Sequence, residues 1–161
     1  MQCSELEAPE HAGAYDLVVC MEVLEHVIDP EAVLATLARL LAPSGRLVIS
    51  VPVETGPALV VKQVVRRIAG WRGIGDYPGT TSYSLRDLAA GLFAGRTQHI
   101  QRPVHTATDG RRFHDHKGFN WRVVRTAIER RFQIERTMCS PVAWLPAELA
   151  TQVWFVACKR Q

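Results

Sequence analysis

The stretch that decides the fold is residues 15–52, "YDLVVCMEVLEHVIDPEAVLATLARLLAPSGRLVISVP". Residues 15–21 are a short, nearly continuous apolar run closed by charge, the pattern of a buried strand. Asp29 and Pro30 then supply a helix cap and a first-turn proline. Val33, Leu34, Leu37, Leu40 and Leu41 follow at helical spacing and form one apolar face. Pro43 and Gly45 end that helix, and residues 46–51 read as a second buried strand. Strand, helix and strand with short connections make a βαβ unit with parallel pairing.

The rest of the 161-residue chain extends this pattern. Residues 57–69 predict an amphipathic basic helix. Leu59, Val60, Val64, Val65 and Ile68 form its apolar stripe, with Lys62, Arg66 and Arg67 mostly off it. Two readings stand for it: a helix packed on its own domain, or a lid or membrane-surface contact. Residues 70–82 are glycine-rich but lack GxGxxG and follow no strand, so they carry no phosphate-binding expectation. Ser84 caps a short helix. Residues 95–118 read as a polar linker holding His99, His105, His114 and His116, and a linker of that length inside a domain is often functional. A helix from residue 120 turns Val123, Val124, Ala127 and Ile128 inward. Strands close the chain near 132–139 and 151–159.

The composition is that of a soluble globular domain, 47% hydrophobic and 22% charged. A net charge of +3 is no strong nucleic-acid signature. The four cysteines show no paired spacing, which fits a reducing, cytoplasmic setting. No apolar run approaches the length of a membrane span, and no secretory leader is apparent. One imbalance stands out. Residues 15–21 read as a central strand, yet only residues 46–51 are available as a neighbour. A strand edge left open in this way favours homodimerisation.

Residues 15–52 resemble the second half of a class I S-adenosylmethionine-dependent methyltransferase. "EHAGAYDLVVCMEVLEHVIDP" is similar to the small-molecule branch that includes the ubiquinone-biosynthesis O-methyltransferases. "GFNWRVVRTAIERRFQIERT" and "VWFVACKR" resemble that family's last helix and final strand pair. The resemblance implies an α/β fold with sheet order 3-2-1-4-5-7-6 and an antiparallel seventh strand. The residues here supply strands 4, 5, 6 and 7 of a partial Rossmann-like sheet. Strands 1 and 2, with the glycine-rich turn and the ribose-binding acid, find no counterpart. The expectation is an incomplete methyltransferase domain over 1–161, with a variable substrate-side or lid region at 57–118. Activity and independent cofactor binding are open on this reading. A non-catalytic, dimerising remnant stands beside the enzyme.

The resemblance also implies roles. S-adenosylmethionine is the implied cofactor and a small molecule the implied substrate. "QCSEL" is similar to the loop beside the adenine, which gives Cys3 and Ser4, with Ser4 where the family often has aspartate. Cys20, Met21 and Glu22 fall beside the cofactor. His26 is the candidate general base, supported by Glu25, because imidazole titrates near neutrality. The competing role for His26 is to pack against the turn at Pro30 and fix the loop. His114, His116 and Trp121 fall on the substrate side. Glu22, Glu25 and His26 at i, i+3 and i+4 share a face if that segment is helical. With His116 they make a metal-ligand set. That set resembles the metal-dependent methyltransferases acting on the 2′-hydroxyl of small RNAs. Helix 57–69 resembles the membrane-touching insertion of the ubiquinone-pathway enzymes, which implies a peripheral membrane contact.

Overall fold

The computed structural model describes residues 5–72, 83–98 and 100–160. The βαβ unit forms as read. Strand β1 spans Tyr15–Met21, helix α1 Pro30–Leu40 and strand β2 Leu41–Pro52. Asp29 caps α1, its carboxylate accepting from the Ala32 N–H at 3.1 Å. β2 is longer than expected, because Pro43 and Gly45 lie inside it rather than in a turn. Gly45 suits a close approach there. A Cβ at this position would meet the Tyr15 carbonyl and Leu41 Cδ1, each at 2.8 Å.

Helix α2 spans Pro57–Trp71 and α3 spans Leu85–Leu92, the latter opened by a Ser84–Asp87 capping box. The segment read as a linker contains a two-stranded hairpin, β3 (Val104–Thr106) and β4 (Arg112–His114). Its strands are three residues each, too short to give a period-2 signal. Helix α4 (Trp121–Arg131), β5 (Phe132–Ser140) and β6 (Gln152–Lys159) complete the chain. The glycine-rich stretch falls largely on residues 73–82, outside the described ones.

The main sheet has the order β1-β2-β6-β5. β1 and β2 run parallel, and β6 is antiparallel to both β2 and β5. This is the expected 4-5-7-6 arrangement with its reversed seventh strand. One face is packed. Cys20, Leu47, Ile49, Val51, Val153, Phe155 and Ala157 meet Leu34 of α1 and Val124 and Ile128 of α4 in a single core. The other face is open at β1, where Leu17, Val19 and Met21 are 59%, 49% and 51% exposed. β1 is therefore an edge strand among the described residues, although its apolar sequence reads as central.

Candidate active site

The carboxyl ends of β1 and β2 lie side by side, the position where parallel α/β sheets place ligands. β1 does not run into a helix there. Glu22 has a left-handed φ of 51°, and its N–H donates to the Ser50 carbonyl at 3.2 Å. Residues 24–26 then form a turn. The segment is not helical, so the condition under which Glu22, Glu25 and His26 would share one helix face is not met. A strained non-glycine backbone at a strand end costs about 1–3 kcal/mol and concentrates at functional sites.

The turn divides its residues between two environments. Leu24 packs into the core, while Glu25 is fully buried and neither of its carboxyl oxygens has a hydrogen-bond partner. Burial raises the Glu25 carboxyl to about 7, with the neighbouring Glu22 charge adding to the rise. The backbone N–H of Glu25 and the Arg102 charge pull the other way without offsetting it. A carboxyl near 7 among unpartnered polar atoms is a mark of a functional site.

His26 is fixed by the hairpin. Its Nδ1–H donates to the His114 carbonyl at 2.9 Å, and the His114 N–H donates back to the His26 carbonyl at 2.9 Å. A carbonyl only accepts, so Nδ1 carries the proton and neutral His26 holds its lone pair on Nε2. That nitrogen lies 3.7 Å from Glu25 Oε1. The His116 ring meets the His26 ring edge-on, with centroids 4.8 Å apart. His116 Nδ1 is buried without a partner, and burial holds this imidazole below its usual value. One ligand atom each from Glu25, His26 and His116 lies within 4.8 Å of the others. An unpartnered carboxylate and two imidazoles fit a divalent transition metal. Glu22 stands outside this group and accepts from Ser50 Oγ at 3.3 Å.

Several expected residues have other places. Trp121 is not on a substrate-side rim. It is 4% exposed and belongs to the core, with the Arg122 guanidinium 4.7 Å from its ring centre. The Cys20 side chain is also in the core, where burial pushes its thiol to about 11, so its side chain does not face an open cofactor surface. Met21 is half exposed on the opposite sheet face. His114 donates from Nδ1 to the Pro103 carbonyl at 2.7 Å and serves to hold His26. Cys3 and Ser4 lie outside the described residues.

The structure adds residues that the sequence did not single out. Glu54, just past β2, is 2% exposed and accepts from Lys62 at 3.0 Å and Arg66 at 3.3 Å. Its charge favours the protonated His116 imidazole, against the burial that lowers it. Its position at the carboxyl end of a parallel strand was a readable signal. Arg102 donates to the Glu25 carbonyl and to the Asp115 carbonyl, tying residues 100–118 to the turn. Burial lowers its guanidinium to about 10. Nothing in a polar linker marks one arginine for that role.

Of the two readings of α2, the helix packed on its own domain would bury its apolar stripe, and only Leu59 of that stripe is buried. Lys62 and Arg66 turn inward to Glu54, while Val61, Val64, Val65, Ile68 and Trp71 are exposed. No helix among the described residues is long and apolar enough to cross a membrane.

The parallel βαβ unit, the reversed last strand and the polar turn at the strand ends define a methyltransferase-type sheet. The chain belongs to the methyltransferase domain family, whose model matches residues 2–120. Among curated relatives, the ubiquinone biosynthesis O-methyltransferase of Cronobacter sakazakii is 51% identical over 49 residues, 30% of this chain and 20% of that protein. The same enzyme of Xanthomonas oryzae pv. oryzae is 44% identical over 64 residues, 40% of this chain and 27% of that protein. The matched segments thus span about a fifth to a quarter of those relatives. A solved S-adenosylmethionine dependent methyltransferase from Mesorhizobium loti is 14% identical, with a TM-score of 0.43 over 92% of this chain and 64% of that one.

Proposed function

We propose that this chain forms the acceptor-side wall of an S-adenosylmethionine-dependent O-methyltransferase acting on a small molecule. The observation that supports it best is the His26 imidazole, held in one tautomer by the hairpin with its Nε2 lone pair beside a buried carboxyl. S-adenosylmethionine supplies a methyl group on a sulfonium sulfur. The chain's contribution is alignment and proton removal. His26 Nε2 takes the proton of the acceptor hydroxyl as its oxygen bonds to the methyl carbon and the carbon–sulfur bond breaks. Glu25 and His116 hold the imidazole in place. Met21 and Glu22, at the end of β1, would line the methyl donor on this reading. Three thiols are free among the described residues, in keeping with a cytoplasmic setting.

A second reading is favoured by the Glu25, His26 and His116 cluster itself. There Glu25 Oε, His26 Nε2 and one nitrogen of His116 would hold a divalent cation, whose contribution when bound would be Lewis-acid polarisation of the acceptor oxygen. This is the metal half of the RNA 2′-O-methyltransferase resemblance. Its nucleic-acid half lacks support, because +3 over 161 residues gives no strong electrostatic footprint. Two surfaces bear on partners. The exposed apolar side of α2 suits peripheral contact with an anionic membrane. The open edge of β1 suits pairing with a second copy, which would also be the role of a non-catalytic fragment.

Transfer of a tritiated methyl group from S-adenosylmethionine to a panel of small phenols tests the enzyme reading. Wild type is expected to label at least one phenol, with His26→Ala about a hundredfold slower. Equal labelling by both would refute His26 as base. No labelling by wild type would favour the non-catalytic reading.

A further inference from the structure

A cavity lies behind the candidate site, not in it. It encloses about 570 Å³, within the range of small-molecule pockets. Leu24, Val27 and Ile28 from the turn form one wall, and Val123, Val124 and Ala127 of α4 form the other. Glu22, Glu25, His26 and His116 are not among its lining residues. The turn therefore has two sides, with its polar residues toward the site and its apolar residues toward the cavity.

The lining combines these apolar side chains with polar ones, among them Gln98, Asn120 and Thr126, and with three arginines. Arg96, Arg102 and Arg130 line it against a single carboxylate, Glu31. Glu31 is already engaged, pairing with Arg130 at 3.4 Å and Arg131 at 3.1 Å. Arg96 has no ion-pair partner among the described residues. Arg102 Nε is buried with no hydrogen-bond partner, although the same guanidinium reaches two carbonyls through Nη2. Arg102 faces Asp115 and Glu25 and Arg130 faces Glu31, which leaves Arg96 as the cation open to a ligand, and an apolar chamber beside such a guanidinium suits an apolar chain ending in a carboxylate.

We propose that this cavity binds an aliphatic monocarboxylate, with its chain against Val123, Val124 and Ala127 and its carboxylate at Arg96. The ligand presses on the apolar side of the turn that carries Glu25 and His26. Its occupancy is thereby coupled to the geometry of the candidate site through Val27 and Ile28. The proposal stands on the cavity alone and does not require methyl transfer.

The test is calorimetry on the full chain with octanoate and with 1-octanol as the uncharged probe. Octanoate is expected to bind at least about tenfold more tightly than octanol. Thr126→Trp, which fills the cavity, and Arg96→Gln, which removes a rim charge, should each weaken octanoate by about tenfold or more. Circular dichroism confirms that each variant folds. In valine-methyl-labelled protein, octanoate should shift Val27, Val123 and Val124. Absence of octanoate binding, equal binding of octanol, or shifts confined to Val61, Val64 and Val65 of α2 would each overturn the proposal. None of these readouts involves methyl transfer, so failure here leaves the functional reading intact.

Discussion

Replacing Glu25 by glutamine isolates the most unusual group in the molecule. The Glu25 carboxyl is raised from an ordinary 4.5 to about 7, chiefly by burial and then by the Glu22 charge. The native state therefore holds a proton that the unfolded chain has released between those two values. Stability falls as pH rises through that window and levels off above it. The full difference corresponds to about 3 kcal/mol. Glu25→Gln keeps the shape and removes the titration. The variant should match wild type near pH 4 and exceed it by about 3 kcal/mol at pH 8. His116 works in the opposite sense, because burial lowers its value and stability is gained as pH rises toward 6.5. Wild type alone would mix the two, whereas the difference between wild type and Glu25→Gln separates them. Urea unfolding followed by circular dichroism, in a chelator and across this pH range, reads the difference directly. A divalent cation in hundredfold excess over its dissociation constant should restore about 2.7 kcal/mol to wild type at pH 8 and nothing to the variant. Equal pH profiles for the two proteins, or a variant less stable at pH 8 without metal, would refute the argument.

Two further expectations concern the exposed surfaces. Val61 and Val65 are 61% and 59% exposed on α2, so changing both to aspartate should weaken sedimentation with anionic vesicles by about tenfold or more. Failure of wild type to sediment with such vesicles would remove the membrane proposal. Leu17 and Val19 lie on the open face of β1, so changing both to lysine should abolish concentration-dependent self-association seen by analytical ultracentrifugation. The folding cost should stay within about 1 kcal/mol, because neither side chain is buried. A wild type that is monomeric at every concentration would contradict this.

The sheet was legible because its signals are local and redundant. Asp29 and Pro30 mark a helix start, and the spacing of Val33, Leu34, Leu37 and Leu40 marks its face, whereas Leu41 opens β2. The apolar runs of β1, β2 and β6 have few alternatives to strand. The 3-residue strands of the hairpin were not legible, since no periodicity builds up over such a length. The site was half legible. Glu25, His26 and His116 do meet, but not through a helical face. The left-handed backbone at Glu22 breaks the periodicity on which that expectation rested. Trp121 came to the substrate side through the family resemblance alone. Its position as the first residue of α4 turns it into the core instead. The inward turn of Lys62 and Arg66 was hidden because their partner, Glu54, lies in a different element.

Amide-shift mapping by nuclear magnetic resonance, as S-adenosylhomocysteine is added to the chain, locates the methyl-donor site. The account predicts shifts at Met21, Glu22 and Val23 and at Ser50, where the ends of the parallel strands meet, with β5 unmoved. No shift at saturating ligand, or shifts confined to β5 and α4, would contradict the placement of the methyl donor at this strand end.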